Sequence, residues 1–197
     1  MNAAELKIAD PKRFDKEYYE WCNHALDYEW WDCTVDMFKA DCEAKGVWVR
    51  DTTFSIPGSA GFAGRIDVGM FMERSGLAEQ YPALYLGVKD DGTMATVSLT
   101  RNDNPSVSYD SYAIQTGPSG MFSGLDQQAW EELIESQEAE ADLEAAMQEE
   151  AVDLSNKLYT MLRDESEYLT SEVEYIAYCE ANDITFETEE EEYETDH

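Results

Sequence analysis

From Asp126 to Arg163 the chain runs without a single glycine or proline, and most of its residues are strong helix formers. No other feature confines the fold as tightly. The segment predicts one helix of 38 residues, nearly 60 Å at about 1.5 Å per residue. That exceeds the usual helix length, so a break near its middle is the alternative. Within it, ESQEAEADLEAAMQEEAVDL (135–154) carries eight carboxylates and no basic residue. Like charges at i,i+4 each cost a helix a few tenths of a kcal/mol. Apolar residues mark the two ends of the segment, Trp130, Leu133 and Ile134 at one and Val152, Leu154, Leu158, Met161 and Leu162 at the other. The section 137–142 between them is expected to have little to bury.

The charge is uneven along the whole chain. Residues 1–125 hold 19 acidic and 11 basic residues, against 25 and 2 in residues 126–197, and the net charge is −31. A field of that sign excludes nucleic acid and anionic membranes as direct partners and favours basic proteins. Hydrophobic residues make up 43%, enough for a core. MNAAELKIADPKRFDKEYYEW lacks the apolar stretch of a secretory signal, and no run approaches a membrane span. A soluble, cytosolic protein with reduced core thiols at Cys22, Cys33, Cys42 and Cys179 is expected.

Residues 11–45 read as two helices or one bent helix. Asp10 serves as N-cap and Pro11 sits in the first turn; Phe14, Tyr18, Tyr19 and Cys22, then Trp30, Trp31, Val35, Phe38 and Cys42, recur at helical spacing, and Gly46 ends the run. VWVRDTTFSI (47–56) reads as a strand, PGSAGFAG (57–64) as a turn and RIDVGMFM (65–72) as a second strand. SGLAEQYP is a short helix or loop. ALYLGV and TMATVSLT flank KDDG (89–92) as a hairpin, RNDNP is a turn, and 106–115 a further strand. SEYLTSEVEYIAYCEAND predicts a shorter helix capped by Thr170 or Ser171, and ITFE (184–187) a last strand. The fold class is therefore α+β: an N-terminal helical pair packed on an antiparallel sheet of four or five strands, followed by long acidic C-terminal helices. A core domain over 1–124, an acidic helical region over 125–187 and a disordered acidic tail over 188–197 are expected, with the boundary in the loop at 117–124.

The chain carries no phosphate loop, dinucleotide fingerprint, nucleophile elbow or zinc-protease motif. His24 stands without a catalytic companion and reads as structural. KDDGTMATVS lacks the ligand pattern of a calcium loop, so no metal and no cofactor is expected. The aromatic cluster Tyr18, Tyr19, Trp21, Tyr28, Trp30 and Trp31 is interleaved with acids, unlike a base-stacking platform, and is expected to pack under the sheet.

The candidate partner-binding residues are the acids of the long helix: Glu131, Glu132, Glu135, Glu138, Glu140, Asp142, Glu144, Glu149, Glu150 and Asp153. Glu131, Glu135, Glu138, Asp142, Glu149 and Asp153 follow steps of 4, 3, 4, 7 and 4, which align them along one face. The shorter steps give axial separations of about 4.5–6 Å, comparable with the phosphates of a DNA strand, at about 3.4 Å of rise. Such a row could occupy a basic DNA-binding cleft; the plain alternative is a solvated face that confers solubility.

Two segments, residues 18–55 and 158–187, resemble a widespread family of small bacteriophage proteins, some labelled antitoxin-like. The matching positions are Tyr28, Trp30, Trp31 and Asp32, then Tyr168, Leu169, Thr170, Ser171, Asn182 and Phe186. The relatives follow the first strand with a longer aromatic loop where this chain has IPGSAGFAG. The resemblance implies a phage origin and carries over no catalytic residue. Small acidic phage proteins commonly resemble DNA mimics. The expectation is a non-enzymatic inhibitor of a basic, DNA-binding host defence protein (a restriction, CRISPR or nuclease system), acting in the host cytoplasm. An antitoxin-like or scaffolding module that binds through the aromatic helices is the alternative. The oligomeric state stays open, a dimer included.

Overall fold

Asn2 opens the first helix with a capping box: its side chain accepts from the Glu5 N–H at 2.8 Å, and Glu5 accepts in return from the Asn2 N–H at 2.9 Å. The computed structural model describes residues 1–99, 105–109 and 127–187, without the side chains of Asp91, Tyr109 and residues 127–136. Helix α1 covers Ala3–Ala9 and α2 Pro11–Cys22, with Asp10 capping Arg13 and Pro11 in the first turn. Helix α3 is Asp32–Glu43, so residues 11–45 form two helices. Strands β1 (Val47–Ser55) and β2 (Ser59–Asp67), helices α4 (Val68–Ser75), α5 (Leu77–Gln80) and α6 (Pro82–Asp91), and strands β3 (Met94–Leu99) and β4 (Ser106–Tyr109) follow. The long helix α7 runs unbroken over Gln127–Leu169, and α8 is Glu172–Ala181, capped by Ser171. The fold is α+β with a four-stranded antiparallel sheet in the order β1-β2-β3-β4. Among the described residues no helix is long and apolar enough to cross a membrane.

Several local expectations are corrected. RIDVGMFM is not one strand: Asp67 closes β2 and turns its carboxylate onto the Met70 N–H at 2.9 Å, capping α4. Val68, Phe71 and Met72 are then buried at helical spacing. ALYLGV belongs to α6, with Pro82 at its start and Gly92, at φ +61°, as its left-handed C-cap instead of a hairpin turn. Most of the Gly-rich stretch is strand β2. Gly64 is required there, because a Cβ would stand 2.3 Å from the Trp48 carbonyl oxygen. ITFE forms no strand; Met1 and Phe186 exchange two backbone hydrogen bonds at 2.7 and 2.9 Å. The strand expected over 106–115 is seen as Ser106–Tyr109, and residues 110–115 lie outside the described residues. So do the boundary loop at 117–124, the tail at 188–197 and most of the turn at 101–105.

The described residues fall into two compact units, one from Met1–Cys33 and Leu162–His197, the other from Thr34–Met161. In the first, α1 and α2 pack on α8. Ala3, Leu6, Phe14, Tyr175 and Cys179 form its core, with Tyr18, Trp21, Ile184 and Phe186 against it. Phe14 meets Tyr175 edge-on at 5.5 Å, and Tyr18 donates to the Thr170 carbonyl at 2.6 Å. The expected place of the aromatic cluster is corrected in part: Tyr18 and Trp21 of α2 pack against Tyr175 of α8 and Tyr19 is exposed, while α3 belongs to the sheet unit. There Phe38 of α3 meets Phe62 of β2 edge-on at 6.0 Å. Helix α7 is tied to the sheet by Ser155, whose hydroxyl donates to the Ala60 carbonyl at 2.5 Å, and to α3 by Lys157, 2.7 Å from Asp41. All four cysteines are free thiols; Cys42 and Cys179 are buried and Cys22 is partly buried, but Cys33 is exposed, against expectation.

Candidate functional site

The orientation of the carboxylates follows from what α7 buries. Ala139, Leu143, Met147, Ala151, Leu154 and Leu158 are all at most 3% exposed. Their spacing of 4, 4, 4, 3 and 4 keeps them on one side of a helix that turns about 100° per residue. Within 137–142 only Ala139 is buried, in keeping with a section that has little to bury; the wider acidic stretch is seated by Leu143, Met147 and Ala151.

The same geometry assigns each acid its direction. Glu138, Asp142, Glu149 and Asp153 fall within an arc of about 60°, centred about 130° around the helix from the middle of the buried side, over roughly 22 Å of axis. All four are exposed, and among the described residues none is in an ion pair. Asp142 accepts a 2.6 Å hydrogen bond from the Tyr81 hydroxyl at the junction of α5 and α6. That bond to a carboxylate holds the Tyr81 phenol above its ordinary pKa.

The other predicted acids are placed differently. Glu150 lies 3.1 Å from Arg74 and 3.9 Å from Lys45, its side chain 17% exposed, so it serves the fold. Glu140 is half-buried, and desolvation raises its pKa. Glu144 is exposed but flanks the buried side, where it accepts from Gln148 at 3.0 Å. The side chains of Glu131, Glu132 and Glu135 lie outside the described residues, although the helical register puts positions 131 and 135 on the same arc as Glu138. Of the six acids aligned in the sequence, the structure thus brings four demonstrably to one exposed stripe. The Tyr81 and Arg74 contacts were missed; their sequence separations of 61 and 76 residues leave no local signal.

The unit of α2 and α8 holds a cleft of about 550 Å³. Trp21, His24 and Tyr28 line it from α2 and the turn after it, and Glu174, Tyr178 and Asn182 from α8 and its C-cap. His24, read from the sequence as structural, has a side chain that is 79% exposed, with Nδ1 2.9 Å from Asp27. Tyr28 is also exposed, whereas Trp21 packs at a tilt against Tyr175 and Tyr178, at 5.3 and 5.9 Å. Among the described residues no group of three or more His, Cys, Asp or Glu is placed to hold a metal ion.

Compared with known proteins, the chain has no match among family models, curated proteins or solved structures.

Proposed function

We propose that this chain is a phage-encoded, non-enzymatic inhibitor of a basic, DNA-binding host defence protein of the restriction, CRISPR or nuclease kind, working in the host cytoplasm. Helix α7 takes the place of a DNA strand in the partner's groove. The observation that carries this reading is the stripe of Glu138, Asp142, Glu149 and Asp153, exposed and without cationic partners among the described residues. A helix tied to a sheet on its buried side presents that stripe with little conformational freedom left to lose, which favours tight docking. The excess of acid over base in the last third of the chain supplies steering towards a basic target. The phage origin rests on the residues quoted for the resemblance.

The test is capture of DNA-binding proteins from bacterial lysate by the full chain and by a variant carrying E138Q, D142N, E149Q and D153N. The wild type should hold a DNA-binding protein at low salt and release it to duplex DNA and to high salt. The variant should bind at least about tenfold more weakly, with a flatter salt dependence. Equal capture by the variant, with unchanged salt dependence, would end the mimicry reading.

One observation favours the alternative, an antitoxin-like or scaffolding module: Tyr19 and Tyr28 on the aromatic N-terminal segment are 70% and 56% exposed. If Tyr19→Ser with Tyr28→Ser abolishes capture while the stripe variant retains it, the aromatic surface is the contact.

A further inference from the structure

The cleft between α2 and α8 combines two features. Its walls are aromatic, with Trp21, Tyr28 and Tyr178, and one carboxylate, Glu174, stands among them. Among the described residues no lysine or arginine lines it; His24 is the one basic side chain there, and that ring is already engaged with Asp27. Four aliphatic residues complete the lining.

Aromatic faces attract cations through the ring quadrupole, and the attraction strengthens as the cation sheds water. A carboxylate beside them selects for a positive group, and a planar guanidinium satisfies both at once: it stacks on a ring and presents a fork of donors to the carboxylate. Glu174 is held for this by its neighbours. Its own N–H donates to the Ser171 hydroxyl at 3.3 Å, which fixes the first turn of α8, and its carboxylate accepts from the Tyr168 hydroxyl. Tyr178 lies one turn further along α8, so the ring and the carboxylate share a face.

We infer that this cleft binds an arginine side chain of a protein partner, between the aromatic rings of Trp21, Tyr28 and Tyr178 and the carboxylate of Glu174. The arginine source rests on the reading that the partner is a basic protein; the affinity of the cleft for a guanidinium does not. A volume of about 550 Å³ exceeds one side chain and leaves room for the backbone that carries it.

The experiment titrates the full chain with N-acetyl-arginine methylamide and follows the Trp21 indole N–H by NMR, its signal assigned with Trp21→Phe. The citrulline analogue, of the same shape but neutral, is the control, and the lysine analogue the competitor. Saturable shifts at Trp21 with arginine, at least fivefold weaker binding of lysine and no response to citrulline are expected. Glu174→Gln and Tyr178→Ala should each weaken arginine binding about fivefold or more, with the far-UV circular dichroism unchanged. Neutralising Glu138, Asp142, Glu149 and Asp153 should leave the Trp21 response intact, which separates this site from general attraction to an acidic protein and from the fate of the mimicry reading. No shift at Trp21, an equal response to citrulline, lysine binding as tightly as arginine, or loss of the response in the stripe variant would each overturn the inference.

Discussion

Replacing Leu143 by alanine tests the geometry from which the stripe derives. Leu143 lies in the middle of the acidic section and is fully buried. It stands one residue from Asp142 and about 40° around the helix from Met147. The substitution removes the equivalent of about three methyl or methylene groups, roughly 2.4 kcal/mol of transfer free energy at about 0.8 kcal/mol each. The cavity left behind adds to this, for a total of about 2–5 kcal/mol. Urea unfolding followed by circular dichroism reads the change as a lower midpoint at constant slope. Val152→Ala is the matched control: that side chain is 37% exposed, and about 1 kcal/mol or less should be lost. If Leu143→Ala cost no more than Val152→Ala, the acidic section would not be seated on its apolar side. The outward direction of Glu138, Asp142, Glu149 and Asp153 would then have no structural basis.

Gly64→Ala should destabilise the sheet unit severely, by about 2 kcal/mol or more, because its Cβ would meet backbone and not a side chain that can swing away; a soluble variant with wild-type thermal stability would refute the close approach. Alkaline titration should unfold the α2–α8 unit. Burial pushes the Tyr18 phenol up to about 12, and burial likewise raises Tyr175. Both phenols are therefore neutral in the folded state above the pH at which they ionise in the unfolded chain. Stability is full below about pH 10 and falls as pH climbs towards 12. Tyr18→Phe should reduce that dependence, and a flat stability between those limits would count against it.

The residues that were legible in the sequence are those whose signals are local. The Asp10 cap, Pro11, the Gly46 stop, the glycine-free long helix and the Ser171 cap all act within one turn of their own position. The errors arose where two local signals competed. RIDVGMFM satisfies a period of two and a period of 3.6 at once, and the side chain of Asp67, by capping, decides for the helix. Asp-Gly at 91–92 fits a hairpin turn as well as a helix C-terminus, since both use a positive-φ glycine; Pro82 ten residues earlier was the sign that favoured the helix. The buried side of the acidic section was hidden because half of it is alanine, which counts for little in a hydrophobic pattern but allows close packing. The pairing of α2 with α8 was not legible at all. Tyr18 and Thr170 are 152 residues apart, and no pattern near either names the other. The same holds for the cleft between α2 and α8, whose aromatics were visible but whose carboxylate was not assigned to them.

The union of Phe14 and Tyr18 with Tyr175 also has a consequence for synthesis. A ribosome adding about 5–20 residues per second needs roughly 6–25 s to pass from residue 34 to residue 161. Throughout that interval the sticky side of α2 has emerged while its cover has not been made. A circular permutant that joins the two halves of that unit directly should fold faster and aggregate less during translation than the natural order.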